Sequence, residues 1–281
     1  MALRRQIIPW RAAGTRAEMR RNADEVVRDT GWVFNNQTGS SLTLEEFVQT
    51  GDAEVEIYLD RFQWSEMAPQ SSVLEIGSGI GRMTAALTRR FASVIATDVD
   101  AAFLERCRET VARFGTVSAL RTVHIADGSS INTADDSVDA VFSYITLQHC
   151  KASDALRLTT EALRVVKPGG YIALNYRTWV PADIILVPAG GVMRWLWRIP
   201  VVGQRLSQWR WSTRLGWQAN RLDPRRVLAL LEASNISLKD PVILHHPGRP
   251  QRSVSLNGTV VRQRDLDVAN KSHWWLVAQA H

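Results

Sequence analysis

Cysteine is scarce in this chain of 281 residues, with Cys107 and Cys150 as the whole supply. They form no CxxC pair and have no metal-ligand pattern beside them. A disulfide framework is therefore not expected, and a reducing, cytoplasmic setting is the simpler expectation. Long apolar runs are missing too. Nothing approaches the ~18 uninterrupted apolar residues of a membrane span. The longest candidate, Ile184 to Met193, is ten residues long and carries Pro188, Gly190 and Gly191. The N-terminal stretch MALRRQIIPWRAAGTRAEMRR has an early charge pair but no apolar run of signal-peptide length. Internal repeats and low-complexity tracts are absent. One further absence is local: no acidic residue lies between Asp183 and Asp223, an interval holding Arg194, Arg198, Arg205, Arg210, Arg214 and Arg221.

What is present describes a packed domain. Hydrophobic residues make up 45% of the chain, enough to bury a sizeable core. The net charge of +6 and a pI near 9.8 suit anionic partners: nucleic acid, acidic lipid headgroups or phosphorylated substrates. Charge alone does not choose among them.

The pattern along the chain is more specific. Residues 15–29 read as a polar amphipathic helix ended at Gly31. Thr43 with Glu46 three residues on has capping-box spacing, and a further helix over about 52–63 is expected to begin after Gly51. From Ser72 short β-rich runs alternate with helical ones. Strands are expected at 72–76, 93–97, 122–126, 138–144 and 171–175, and helices at 82–91, 101–113 and 153–166. Lys167-Pro168-Gly169-Gly170 stops the last of these helices. Such alternation predicts an α/β fold: a doubly wound, mostly parallel, Rossmann-like sheet of about seven strands with helices on both faces. After residue 178 the alternation lapses. It resumes with a helix at 225–233 behind Asp223-Pro224, then strands at 237–245 and 274–278. The expected organisation is an N-terminal helical cap (1–68), a core (69–178 and 222–281) and an insertion (179–221).

Directly after the first strand stands Glu75-Ile76-Gly77-Ser78-Gly79-Ile80-Gly81-Arg82. Glycines at alternate positions let the backbone turn sharply and approach a ligand, at the strand end where open α/β sheets bind. Asp98 closes the second strand 21 residues after Gly77, a spacing that suits hydrogen bonds to a ribose. Asp127-Gly128 closes the third strand, and the fourth leads through Tyr144 to Gln148-His149. The segments VLEIGSGIGR, ATDVD, ADG, DAVFSYITLQH and LRVVKPGGYIAL resemble the class I S-adenosylmethionine-dependent methyltransferases over roughly residues 70–178. By that resemblance Gly77, Ser78, Gly79 and Gly81 line the cofactor S-adenosylmethionine, with Glu75 beneath its methionine end. Asp98 holds the ribose and Asp127 bonds the adenine amino group; Val99, Gly128 and Gln148 are further candidate cofactor contacts, and Gln148 could also orient the acceptor. A nicotinamide or flavin enzyme is the rival of like fold. Its GxGxxG fingerprint fails here, since the sixth place is Arg82.

A sulfonium supplies a reactive methyl, so the protein's task is to align an acceptor and exclude water. A hydroxyl acceptor also needs its proton removed, and His149 is the candidate base. Two readings of it stay open, a base and a histidine that closes its loop. Tyr144 is a second candidate catalytic residue, able to orient acceptor or cofactor. His124 reads as a sheet histidine with its bonds satisfied. Of His245 and His246, neighbours on a strand, only one can face the site mouth. A divalent metal held by Asp127 with a histidine is the lesser expectation, for lack of ligand spacing.

Six of the eleven tryptophans, Trp179, Trp195, Trp197, Trp209, Trp211 and Trp217, lie in the insertion. Three readings compete: a lid over a sugar, glycan or other hydroxylated acceptor, a segment dipping into an anionic membrane interface, and a packed hairpin or dimer surface. A nucleic-acid acceptor is disfavoured, because Ser143-Tyr144-Ile145-Thr146 stands where enzymes of base nitrogens carry an Asn/Asp-Pro-Pro-aromatic motif. The expected reaction is O-methylation of a sugar, glycan or related small molecule. N- or C-methylation of a lipid or secondary metabolite and a non-catalytic cofactor-binding module are the alternatives. Oligomeric state stays open.

Overall fold

The structure is a computed structural model that describes residues 22–27, 42–207, 209–217, 220–248, 252–268 and 271–281. Residues 23–27 are helical. The remainder of the helix expected at 15–29, and its end at Gly31, lie outside the described residues.

Helix α1 (Leu44–Arg61) opens with the expected capping box: the Glu46 N–H donates to Thr43 Oγ1 and the Thr43 N–H to Glu46 Oε2. It does not break at Gly51, contrary to the sequence expectation. A Cβ there would lie 2.2 Å from the Arg82 carbonyl oxygen, so this glycine serves close helix packing and not termination. Strand β1 (Ser72–Ile76) follows, then α2 (Thr84–Arg90), β2 (Ser93–Asp98), α3 (Ala101–Phe114), β3 (Leu120–His124), β4 (Val138–Ser143), α4 (Ala152–Val165) and β5 (Val166–Arg177). Asp100 caps α3 through the Ala102 N–H.

The sheet has eight strands, one more than expected. Its order is β3-β2-β1-β4-β5-β10-β6-β9, where β6 is Leu238–His245, β9 Arg262–Asp265 and β10 His273–Ala280. β10 runs antiparallel between β5 and β6, and the other pairings are parallel. A hairpin of β7 (Ser255–Leu256) and β8 (Thr259–Val260) forms a separate pair. Lys167–Gly170 is a register shift within β5 and not a loop before it. Gly170 permits this, since a Cβ would lie 2.7 Å from the Asp139 carbonyl oxygen.

Alternation places adjacent side chains of β10 in opposite layers. Trp274 stacks on Tyr176 at 4.6 Å and packs with Leu228 and Leu231 of α8 (Pro224–Ala233). Trp275 packs with Tyr58 and Phe62 on the α1 side. Where the pattern lapsed, the insertion holds three helices: α5 (Asp183–Leu196), α6 (Pro200–Ser207) and α7 (Arg210–Trp217). They gather on buried Trp197, whose Nε1–H donates to Ser212 Oγ at 3.1 Å. Gly203 and Gly216 leave room for it.

Candidate active site

The carboxyl ends of β1, β2, β4 and β5 converge with the start of β10 at one edge of the sheet. After β1, Gly77, Gly79 and Gly81 have φ of +82°, +55° and +94°, a left-handed region that glycine enters without strain. A Cβ on Gly77 would lie 2.1 Å from the Thr146 side chain. The N–H groups of Gly77 and Ser78 donate to the Thr97 carbonyl, which ties the turn to β2.

Two buried carboxyls lie under this turn. Glu75 accepts from the Thr84 hydroxyl at 2.5 Å. Burial pushes it up to about 7 against the Thr84 bond and the Arg82 charge, with Asp98 adding repulsion. Asp98 accepts from the Gly79 and Asp100 N–H groups, each at 2.9 Å. Burial raises it to about 6 in spite of those bonds. Acids held this reluctantly in the ionised form suit a ligand that brings positive charge. The nearby Cys107 thiol is pushed up to about 12, by burial first and then by Glu75, so it is no nucleophile.

Past β2 and β3, Val99 and Gly128 stand side by side: a Cβ on Gly128 would meet Val99 Cγ1 at 3.8 Å. β3 ends at His124, short of the expected Ala126, so Asp127 sits on a turn beyond the strand and not at its end. Its carboxylate accepts from the Ser129 and Ser130 N–H groups and the Ser130 hydroxyl. These bonds outweigh the effect of burial and hold it below the usual carboxylate range. His124, in β3, places Nε2 3.2 Å from the Val99 carbonyl.

After β4 the chain turns through Ile145, φ +51°, whose N–H donates to Asn175 Oδ1. Leu147–His149 then form one 3₁₀ turn. Asn220 clamps it, donating from Nδ2 to the carbonyls of Leu147 (2.6 Å) and Cys150 (2.8 Å). Gln148 is buried, with Nε2 3.3 Å from His149 Nε2 and with Oε1 lacking a hydrogen-bond partner among the described residues. His149 is half-buried. Tyr144 lies apart, stacked on Trp275 at 5.4 Å and hydrogen-bonded to Tyr58. Burial, then the Glu54 charge, pushes its hydroxyl up to about 12, so it can donate a hydrogen bond but not serve as a base near neutrality.

Of the paired histidines, buried His245 lines a cavity of about 430 Å³ with Thr178, Trp179, Arg252 and Trp274. Among the described residues no group of three His, Cys, Asp or Glu side chains is placed to hold a metal ion. Sequence reasoning did not single out Thr84, Thr146, Asn175, Asn220 or His273, and no local signal marks them. Thr84 acts through Glu75 on the preceding strand, and the other four through partners 30 or more residues away.

Residues 74–174 match the family model described as a methyltransferase domain. An uncharacterized methyltransferase of Mycobacterium sp. (strain KMS) is 36% identical over 109 residues, 39% of this chain and 40% of that protein. The malonyl-[acyl-carrier protein] O-methyltransferase of Methylococcus capsulatus is 30% identical over 112 residues, 38% of each chain. The chain thus spans about two fifths of the length of these curated relatives. In fold it is similar to the magnesium protoporphyrin IX methyltransferase of Synechocystis PCC 6803, solved with bound S-adenosylhomocysteine. The TM-score is 0.52 at 12% identity, covering 92% of this chain and 98% of that one. A glycine cradle that a Cβ would fill, over two buried carboxyls suited to a cationic ligand, fits that cofactor type. Residues 74–174 match a methyltransferase domain, and the glycine turn with its two buried carboxyls fits S-adenosylmethionine as the cofactor.

Proposed function

We propose that the protein transfers a methyl group from S-adenosylmethionine to a hydroxyl of a sugar, glycan or related small molecule, with His149 as general base. One observation carries this reading. A half-buried histidine stands on the turn after β4 beside Gln148, while Thr146 of the same segment packs against Gly77 of the glycine turn. The cofactor, when bound, supplies an electrophilic sulfonium methyl. Gly77, Ser78, Gly79 and Gly81 give it room, and Glu75 offsets its positive charge. Asp98 and Val99 take the ribose side, and Asp127 and Gly128 the adenine. Gln148 Oε1, buried and without a hydrogen-bond partner among the described residues, is left to accept from ligand. His149 takes the acceptor's proton as the new O–C bond forms, and the half-buried site limits water. Cys107 and Cys150 are buried and not joined in a disulfide, which suits a reducing, cytoplasmic setting.

The test is His149→Ala with candidate acceptors. Turnover falls by roughly 10²–10⁴-fold while S-adenosylhomocysteine affinity stays within a few-fold. Unchanged turnover on a hydroxyl acceptor would remove the base assignment and favour an amine or carbon acceptor, or proximity alone. Loss of activity to a chelator with rescue by magnesium would favour a metal-assisted route. No turnover across acceptor classes, with S-adenosylhomocysteine still binding, would favour the non-catalytic module.

A second reading of acceptor delivery has its own observation. On the insertion, Ile184 and Ile185 are 72% and 74% exposed and Trp195 59%; Val201, Val202, Trp209 and Trp211 are exposed as well. Exposed Arg198 and Arg205 accompany them, and no acid lies between Asp183 and Asp223. Such a surface is suited to an anionic membrane interface, from which a lipid-linked acceptor would enter. No described helix is long and apolar enough to cross a membrane.

A further inference from the structure

Next to His149 is a group of cations that the proposed chemistry does not use. Arg177 ends β5, and the Leu222 N–H donates to its carbonyl at 2.8 Å, which brings Arg221 alongside. Arg194 reaches in from α5 and donates to the Gly216 carbonyl at 3.1 Å. His273 opens β10, its Nδ1 3.1 Å from Asn175 Oδ1. The Asn220 N–H donates to the Gln148 carbonyl at 3.2 Å, which sets Arg221 beside the His149 turn. His273 is pushed down to about 3, by burial first and then by the charges of Arg177, His149 and Arg221.

Among the described residues, Asp183 is the acid that pairs with Arg177 and Arg221. Asp183 is fully buried and receives Arg221 through Nε (2.9 Å) and Nη2 (2.7 Å), with Arg177 Nη2 at 3.6 Å. Burial works to raise this carboxyl, but the Arg221 bonds, the Val180 N–H and the arginine charges hold it below the usual range. Arg177 and Arg221 thus share the Asp183 carboxylate, and Arg194 adds a further cation close to Arg221. The Arg177 and Arg221 side chains are only 11% and 5% exposed. Arg177 is the one left short: its ion pair is long, and its buried Nε has no hydrogen-bond partner among the described residues. Burial and the Arg221 charge bring it down to about 10, so it remains charged at neutral pH. A desolvated cation whose counter-charge is held at 3.6 Å and bonded more closely by a second arginine is costly, and a ligand anion would relieve that cost.

We propose that Arg177, backed by Arg221 and Arg194, forms a subsite for an anionic group, a carboxylate or phosphate, carried by the methyl acceptor and bound beside His149. A guanidinium fork fits both anions with paired hydrogen bonds. That the anion belongs to the acceptor rests on the methyltransferase reading; the existence of the anion site does not.

The experiment uses the full chain, with inorganic phosphate and acetate as probes at fixed ionic strength against chloride. Phosphate or acetate raises the melting temperature of the wild type, Arg177→Gln loses that rise and Arg177→Lys keeps part of it. The rise produced by S-adenosylhomocysteine is the same in all three. With acceptors, Arg177→Gln lowers kcat/KM more than tenfold for those bearing phosphate or carboxylate and leaves neutral analogues within threefold. Which anion gives the larger rise identifies the group. An equal rise in wild type and Arg177→Gln means an adventitious ion elsewhere and overturns the proposal, as does no rise in the wild type. Should Arg177→Gln fail to fold, the Arg177 Nε–H resonance of the wild type is followed during the titration, and its indifference to both anions overturns the proposal. If S-adenosylhomocysteine gives no rise in the wild type while the anions do, the methyltransferase reading fails and the anion site stands.

Discussion

Glu75→Gln separates the charge of the glycine turn from its shape. The wild-type carboxyl, ordinarily near 4.5, is carried to about 7 by burial. The folded protein therefore prefers the protonated form. That preference contributes fully below pH 4.5 and is lost as the pH climbs to about 7. At 1.36 kcal/mol per pH unit, ionising Glu75 costs the folded state about 2.5 kcal/mol more at pH 8 than at pH 5. Glutamine keeps the side-chain length and an oxygen for the Thr84 hydroxyl but does not titrate. The cofactor-free variant should gain on the wild type between pH 5 and pH 8 by roughly 5–10 °C in melting temperature. Melts followed by circular dichroism across that range, without cofactor, read the difference. Cofactor should reverse the preference, since a cationic ligand favours the carboxylate. Affinity in the wild type should rise from pH 6 to pH 8 while that of Glu75→Gln stays flat and weaker. Parallel stability curves for the two proteins would refute the buried-acid argument.

Other substitutions probe neighbouring parts of the site. Gly77→Ala sets a Cβ against Thr146 in a left-handed conformation; a loss of about 2–4 kcal/mol in denaturant unfolding is expected, together with loss of S-adenosylhomocysteine binding by calorimetry. Asp98→Ala should weaken cofactor binding by about 1.5–3 kcal/mol, whereas Asp98→Asn should retain part of it, because the Gly79 and Asp100 N–H groups keep an acceptor. Asn220→Ala frees the Leu147 and Cys150 carbonyls and should raise hydrogen exchange across the Leu147–His149 turn. Ile184→Ser with Ile185→Ser should abolish co-sedimentation with phosphatidylglycerol vesicles at low salt; no binding by the wild type would dismiss the membrane reading.

The parallel core was legible because short apolar runs and helical runs differ in period, and because the first glycine turn carries its own chemistry. Gly51 misled the reading of α1: a glycine that admits a neighbouring backbone looks, in one dimension, like one that ends a helix. β9 (Arg-Gln-Arg-Asp) was invisible because an edge strand of charged residues has no apolar alternation to detect. The extent of the insertion's helices was hidden because Gly203 and Gly216, which admit Trp197, and Gly190, which admits the Leu215 carbonyl, locally read as breaks. In the candidate site the rim residues Gly77, Asp98 and His149 followed from position after a strand. The Arg177–Asp183–Arg221 group did not, since its pairing is made only when β5 and the chain after α7 meet.

Among the described residues the indoles fall into two optical compartments. Trp64, Trp197, Trp274 and Trp275 are buried, while Trp179, Trp195, Trp209 and Trp211 are open to solvent and all stem from the insertion. An aqueous quencher such as iodide or acrylamide should therefore extinguish a red-shifted population first and leave a blue-shifted core signal. An acceptor or vesicle that covers the insertion would shield the quenchable fraction and move its emission to shorter wavelength. Cofactor alone would leave it unaltered. The intrinsic fluorescence of the unlabelled protein can thus report separately on whatever engages the insertion and on the integrity of the sheet.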